Sequence, residues 1–312
     1  MIAKNKRLPF RLFLTLLITG LILGVTACNP ASPQADPDPA ILQITVSILP
    51  QAYFVERIGG DAVSVNVMVG PGEEAHTYEP KPEQMKSLTH SQIFFSIGVE
   101  YEASWLPRFQ DINPALQVVD STEGIQRIAM AAEHHHDDEE NNPEEKETLL
   151  GLDPHVWLAP DNGKIIAANI LHALQSLAPE RSSDFEANYA TLMNEIDSVD
   201  ARIESALSGL EQRTFMVFHP AWGYFAKQYN LEQIPVQVGG QDPSASELAD
   251  LVTTARAEGV RVIFIQPTFN AANAKAIAAE IDAEVAVVDP LARNWLTNLE
   301  NVAKAFAAAL RD

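Results

Sequence analysis

From residue 41 onward, short runs of β-branched and aromatic residues alternate with stretches whose apolar positions recur every three or four residues. That rhythm predicts an α/β fold with parallel-type sheets covered by helices. Strands are predicted at 44–48, 63–69, 93–97 and 117–119, and again at 215–218, 234–238, 261–265 and 284–288. Helices are predicted over 51–58, from Pro82 onward, and over 222–229, 244–258 and 271–281. Pro82 stands where a missing N–H costs nothing at a helix start. Ser244 with Glu247, and Thr297 with Glu300, have the spacing of capping boxes, the second opening a terminal helix.

The strongest helical signal lies between these two halves. Phe185, Tyr189, Leu192, Ile196, Val199, Ile203, Ala206 and Leu210 fall at alternating steps of three and four and make one apolar stripe, predicting a helix over 179–213. About thirty helical residues would span roughly 45 Å, enough to act as a backbone between lobes. Residues 133–148 differ in kind: EHHHDDEENNPEEKET has no aliphatic side chain and is dense in acid, so it is expected to be a mobile loop.

At 312 residues the chain has room for two α/β lobes or one large domain. Its first residues carry a basic stretch, an apolar run and small residues before Cys28, the arrangement of an export signal over 1–28. The apolar stretch 12–25 is short for a bilayer span, which needs about 20 residues. Val25, Thr26, Ala27 and Cys28 are similar to a bacterial lipobox, which implies cleavage before Cys28 and acylation of its sulfur; an incidental cysteine is the alternative. Residues 29–40, rich in Pro, Ala and Asp, are expected to be a tether, followed by lobes at 41–178 and 214–312 flanking the helix. A single cysteine excludes an intramolecular disulfide and any Cys-rich zinc site. The net charge of −21 argues against nucleic acid as a partner and favours cations.

Four stretches each centre on one potential metal ligand: PGEEAHTYEP on His76, GLDPHVWLAP on His155, FMVFHPAWGYF on His219 and VVDPL on Asp289. In parallel α/β sheets ligands bind beyond the carboxyl ends of the strands, where most of these residues are predicted to fall. Three imidazoles and a carboxylate make a zinc shell, and nitrogen-rich donors favour zinc over manganese. Pro154, Pro220 and Pro290 stiffen the backbone beside three of the four. Glu79, Gln266 and Asp153 are candidates to orient imidazole N–H groups. Each candidate also has a plainer role: a lone histidine in a turn is more often a cap or a solvated surface group, and Asp289 before proline can simply start a turn. His90 and His172 are taken as structural, and Trp157, Trp222, Tyr224 and Phe225 as core or cleft wall. For His134, His135 and His136 in the loop 133–147 two readings stand, a weak collector of zinc and a solvated charge run.

Together, the PGxxxH segment followed by Tyr-Glu-Pro, DPHVWL, HPAWGYF, the late Asp-Pro and the His-rich acidic loop resemble the metal-binding solute-binding lipoproteins of bacterial ABC importers, specifically the zinc-uptake group of the cluster A-I family. The resemblance covers essentially the whole chain after the tether. It implies two α/β lobes joined by one long backbone helix, with His76, His155 and His219 binding Zn2+ in the cleft between them. Asp289 matches a carboxylate that serves as fourth ligand in manganese-type relatives, and in zinc-type relatives water or another acid takes that place. Manganese-type members tend to carry Glu at the position of His219, so the resemblance implies zinc, with a manganese- or iron-binding member of the same family, Mn2+ in particular, as the alternative. The His-rich loop is shorter and poorer in His than in many zinc-type members, and Gln266 stands where relatives often have Glu. The expected protein is an extracytoplasmic monomer, held at a membrane by a lipid on Cys28, that delivers its ion to the membrane subunit of an ABC permease. It is expected not to be an enzyme: a zinc hydrolase would need a general base, and no His-Glu-x-x-His helix accompanies the set. A surface adhesin is a further alternative.

Overall fold

In the computed structural model, which describes residues 40–130, 151–237, 241–268 and 272–311, eight strands form two parallel sheets. The first has the order β2-β1-β3-β4, from β1 (Leu42–Ile48), β2 (Val63–Val69), β3 (Ile93–Ser96) and β4 (Gln117–Asp120). The second repeats that topology as β6-β5-β7-β8, from β5 (Thr214–Val217), β6 (Glu232–Pro235), β7 (Val262–Ile265) and β8 (Glu284–Val287). In the first sheet Ile44 stands opposite both Val65 and Ile93, and in the second Val217 stands opposite Pro235 and Phe264. The central strands β3, β5 and β7 are covered on both faces, which is why they read as near-continuous apolar runs. Where β1 turns a polar side chain inward it is paired: Thr45 with the Ser91 hydroxyl at 2.6 Å, and Ser47 with the Tyr101 hydroxyl at 2.7 Å.

The covering helices are α1 (Leu49–Gly59), α2 (Pro82–Leu88), α3 (Glu100–Ile112), α4 (Pro160–Leu177), α5 (Ser182–Leu207), α6 (Gly223–Gln228), α7 (Ala245–Ala257), α8 (Ala272–Ile281) and α9 (Trp295–Arg311). Helix α5 is the expected long element but shorter than 179–213. Pro179–Arg181 forms a separate 3-10 turn, and the helix ends where Ser208 turns extended at ψ 147°, with Gly209 at φ +69° completing the turn. Its 26 residues span roughly 39 Å. Helix α9 starts at Trp295, ahead of the predicted Thr297 box, because the Asn294 side chain accepts from the Thr297 N–H at 3.4 Å. The Ser244 box forms as expected, with the Glu247 N–H donating to Ser244 and the Ser244 N–H to Glu247. Helix α3 has no clear signature in the sequence: Pro107 lies inside it, and only Tyr101, Glu102 and Phe109 are buried along it.

The larger core runs without a break from the first sheet, through α1, α4, α5 and α9, to one face of the second. In α5, Phe185, Leu192, Ile196, Val199, Ile203 and Leu207 enter it. In α9, Phe306 stacks on Phe215 at 4.3 Å, while Trp295 of the same helix meets Phe54 of α1 at 4.7 Å. The opposite face of the second sheet, with Met216, Ile263 and Ile265, packs with Leu251, Ala255 and Ile277 of α7 and α8 in a smaller cluster. Two sheets are thus bridged by shared apolar packing as well as by α5. Among the described residues no helix is long and apolar enough to cross a membrane. Cys28, the export signal, the tether up to residue 39 and His134, His135 and His136 lie outside the described residues.

Candidate metal centre

Loops at the carboxyl ends of strands from both sheets carry the site. His76 follows β2, in a turn where the Glu73 side chain accepts from the Gly70 N–H at 2.8 Å. His219 follows β5, and its predecessor Phe218 donates to the Phe264 carbonyl at 2.8 Å, so main-chain pairing with the β7 strand sets its position. His155 lies just before the 3-10 turn Val156–Leu158, and both its backbone N–H and its Nδ1 reach Asp153 Oδ1 at 2.8 Å.

These three residues, so distant in the chain, bring one ring nitrogen each within 4.8 Å of the others. His76 Nε2 is 3.1 Å from His219 Nε2, which is 3.4 Å from His155 Nε2. A tetrahedral ion with metal–nitrogen bonds of about 2.0–2.1 Å would place its ligand atoms about 3.3 Å apart, which these two separations match. His155 and His219 are buried, and His76 keeps 23% of its side chain exposed.

Behind each ring an oxygen faces Nδ1. Glu100 Oε2 meets that of His76 at 2.6 Å, Asp153 Oδ1 that of His155 at 2.8 Å, and Gln237 Oε1 that of His219 at 3.0 Å. Each acceptor draws the hydrogen onto Nδ1 and leaves the lone pair of Nε2 facing the other two rings. Lone pairs at such separations repel unless a cation or a proton lies between them. Burial of the His76 ring works against its protonation, but the Glu100 carboxylate outweighs burial, helped by Glu74 and Asp153, and lifts its pKa above the ordinary value. Glu74 Oε1 lies 3.8 Å from His76 Nε2. Burial would raise the Glu100 carboxyl, yet His76 holds it low. Burial, then the neighbouring His155 and His76, push His219 well below the usual imidazole range. The carboxylates behind His76 and His155 and the three inward lone pairs thus favour one positive charge among the rings, while burial keeps His219 itself neutral.

Of the predicted supporting groups, Asp153 orients His155, whereas Glu79 is exposed and Gln266 lies buried just past β7. Glu100 and Gln237 escaped sequence reasoning: the first opens the unforeseen α3, and the second follows β6 with no motif around it. The strand-end rule applied to every polar residue would have found both. Asp289, expected as a fourth ligand, lies outside the converging atoms. Its Oδ1 accepts from the Leu291 N–H at 2.9 Å, and burial raises its carboxyl pKa. Tyr224 is more than a wall, since its hydroxyl donates to the Asp153 carbonyl at 2.9 Å and accepts from the Ile128 N–H. Gly223 beside it leaves room for Asp153, because a Cβ there would come within 2.7 Å of Asp153 Oδ2 and push that carboxylate aside.

Residues 44–309 match the family described as ZnuA, zinc-uptake complex component A, periplasmic. The high-affinity zinc uptake system protein ZnuA of Bacillus subtilis is 28% identical over 281 residues, covering 88% of this chain and 87% of that protein. The zinc-binding protein AdcA of Streptococcus pyogenes serotype M3 is 27% identical over 263 residues, 80% of this chain and 50% of AdcA, so this chain spans about half the length of that relative. A solved ZnuA deletion mutant with zinc bound is 39% identical and superposes with a TM-score of 0.79 over 87% of this chain and 99% of its own.

Proposed function

Because the chain belongs to the zinc-uptake complex component A family, we propose that it captures Zn2+ outside the cytoplasm and hands it to the membrane subunit of an ABC permease. The observation that carries this reading is the convergence of three Nε2 atoms, each lone pair turned inward by an acceptor on Nδ1. His76, His155 and His219 hold the ion, and water takes the fourth position. Zinc is favoured over manganese because the donors are all nitrogen. A lipid on Cys28 keeps the protein, a monomer, at the membrane surface. The continuous core between the sheets limits their relative opening, so the ion enters and leaves by movement of the cleft loops.

Titration of metal-free protein with zinc, in competition with a chromophoric chelator, tests the reading. One tight site per chain is expected, with zinc preferred to manganese. His219→Ala should abolish that site, and deletion of 133–147 should leave it in place. A tight site that survives His219→Ala, or vanishes with the loop, would overturn the assignment.

A further inference from the structure

The three oxygens that face the imidazoles differ in kind. Those of Glu100 and Asp153 belong to carboxylates, whereas that of Gln237 belongs to an amide, which accepts through Oε1 but donates through Nε2. An amide turned over would present N–H to the ring. His219 would then carry its hydrogen on Nε2, and its lone pair would point away from the other two rings.

What opposes that flip lies on the far side of the amide. Gln237 Nε2 donates to Asp242 Oδ1 at 3.0 Å. An ionised carboxylate only accepts, so it selects the NH2 group, and the amide oxygen must face His219. Polarity therefore runs one way, from Asp242 through Gln237 to Nδ1–H of His219. Gln237 is 4% exposed, and its backbone N–H donates to the Phe218 carbonyl at 2.8 Å, which registers the amide beside the residue it serves.

We propose that Gln237, oriented by Asp242, is a positioning residue that holds His219 in the tautomer required for metal capture. The inference rests on the reading of His76, His155 and His219 as zinc ligands. Gln237 acts through the ring and makes no bond to the ion. Its partners are distinct from the anchors of the other two rings, so its removal should disturb His219 alone.

Zinc affinity and the ring nitrogen NMR shifts of the metal-free full chain test this in the wild type, in Gln237→Leu, in Gln237→Glu combined with Asp242→Asn, and in His219→Ala. Gln237→Leu should weaken zinc binding by about 10–100-fold. It should also shift His219 from the Nδ1–H form to a mixture, with His76 and His155 unchanged. The double variant exchanges carboxylate and amide while keeping an acceptor toward His219, and should bind within about threefold of the wild type if the usual cost of losing a ring anchor is avoided. Gln237→Leu with wild-type affinity and an unshifted His219, or a double variant as weak as Gln237→Leu, overturns the proposal. Should the wild type and His219→Ala bind zinc alike, the ligand reading itself falls, and this inference with it; should only His219→Ala lose zinc, the inference alone falls.

Discussion

The indole N–H of Trp295 donates to the backbone carbonyl of Trp157 at 2.6 Å, and the indole N–H of Trp157 donates in turn to the Pro290 carbonyl at 2.8 Å. Both rings are 1% exposed. Trp157 lies two residues after His155, and Trp295 opens α9, so the pair ties the His155 loop to the C-terminal part of the chain. Trp295 packs so closely on α4 that a Cβ at Gly163 would come within 2.3 Å of its ring.

Stability should therefore respond to small changes at this lock. Trp295→Phe leaves the Trp157 carbonyl buried without its donor and should cost about 1–3 kcal/mol. Gly163→Ala overpacks a ring that cannot move aside, with a loss of about 1–3 kcal/mol. Urea denaturation of the metal-free protein checks both, and an unchanged midpoint in either variant would show the lock to be slack.

Asp153 satisfies the backbone and the ring of His155 with a single oxygen. Asp153→Ala should lower zinc affinity by about 10–100-fold, the usual cost of losing a group that orients a metal-binding imidazole. Isothermal or chelator-competition titration measures it. An effect smaller than threefold would mean that the fold alone holds the ring.

Zinc affinity should fall with acidification, earlier than an ordinary imidazole would dictate. A proton and Zn2+ compete for Nε2, and because His76 has a raised pKa, proton competition begins above the usual value of about 6.5. Affinity is full above that range and declines as pH drops through it. Glu100→Gln removes the main charge that lifts the pKa and leaves burial, which lowers it, against only the weaker pull of Glu74 and Asp153, so the acid limb should move to lower pH even though affinity at neutral pH also weakens. Titrations over about pH 5 to 8, the useful range for histidine, check the direction, and a limb displaced upward would contradict it.

Asp289→Asn should change zinc affinity by less than about threefold, well short of the 10–100-fold cost of losing even an outer-shell partner of a ligand. Its carboxylate is engaged with the Leu291 N–H, and its backbone carbonyl with the Asn298 side chain at 2.7 Å. A tenfold loss would place the carboxylate in the metal shell.

Helix α5, the Ser244 cap and the strand ends that carry His76 and His219 were legible because each rests on neighbours in sequence: an apolar stripe, a Ser and Glu three apart, a β-branched run stopped by a turn. Helix α3 was not, since Pro107 and a sparse apolar face weaken its local signal and packing against the first sheet must supply the rest. Glu100 was lost with it. The start of α9 was misplaced because Asn294 and Thr297 both suit a cap, and the burial of Trp295 chooses between them.

Local order along the chain was enough to determine the alternation of strands and helices and the kinds of atoms offered to a metal, because propensity, periodicity and donor chemistry belong to residues and their near neighbours. Tertiary structure alone decided which acceptor stands behind His76 and His219, and that the Asp289 carboxylate accepts from its own turn. Glu100 meets His76 across 24 positions, Gln237 meets His219 across 18, and the Trp157 indole reaches Pro290 across 133. Hydrogen bonds of this kind depend on angstrom-scale placement of separate segments, which packing of the whole core establishes and no local pattern encodes.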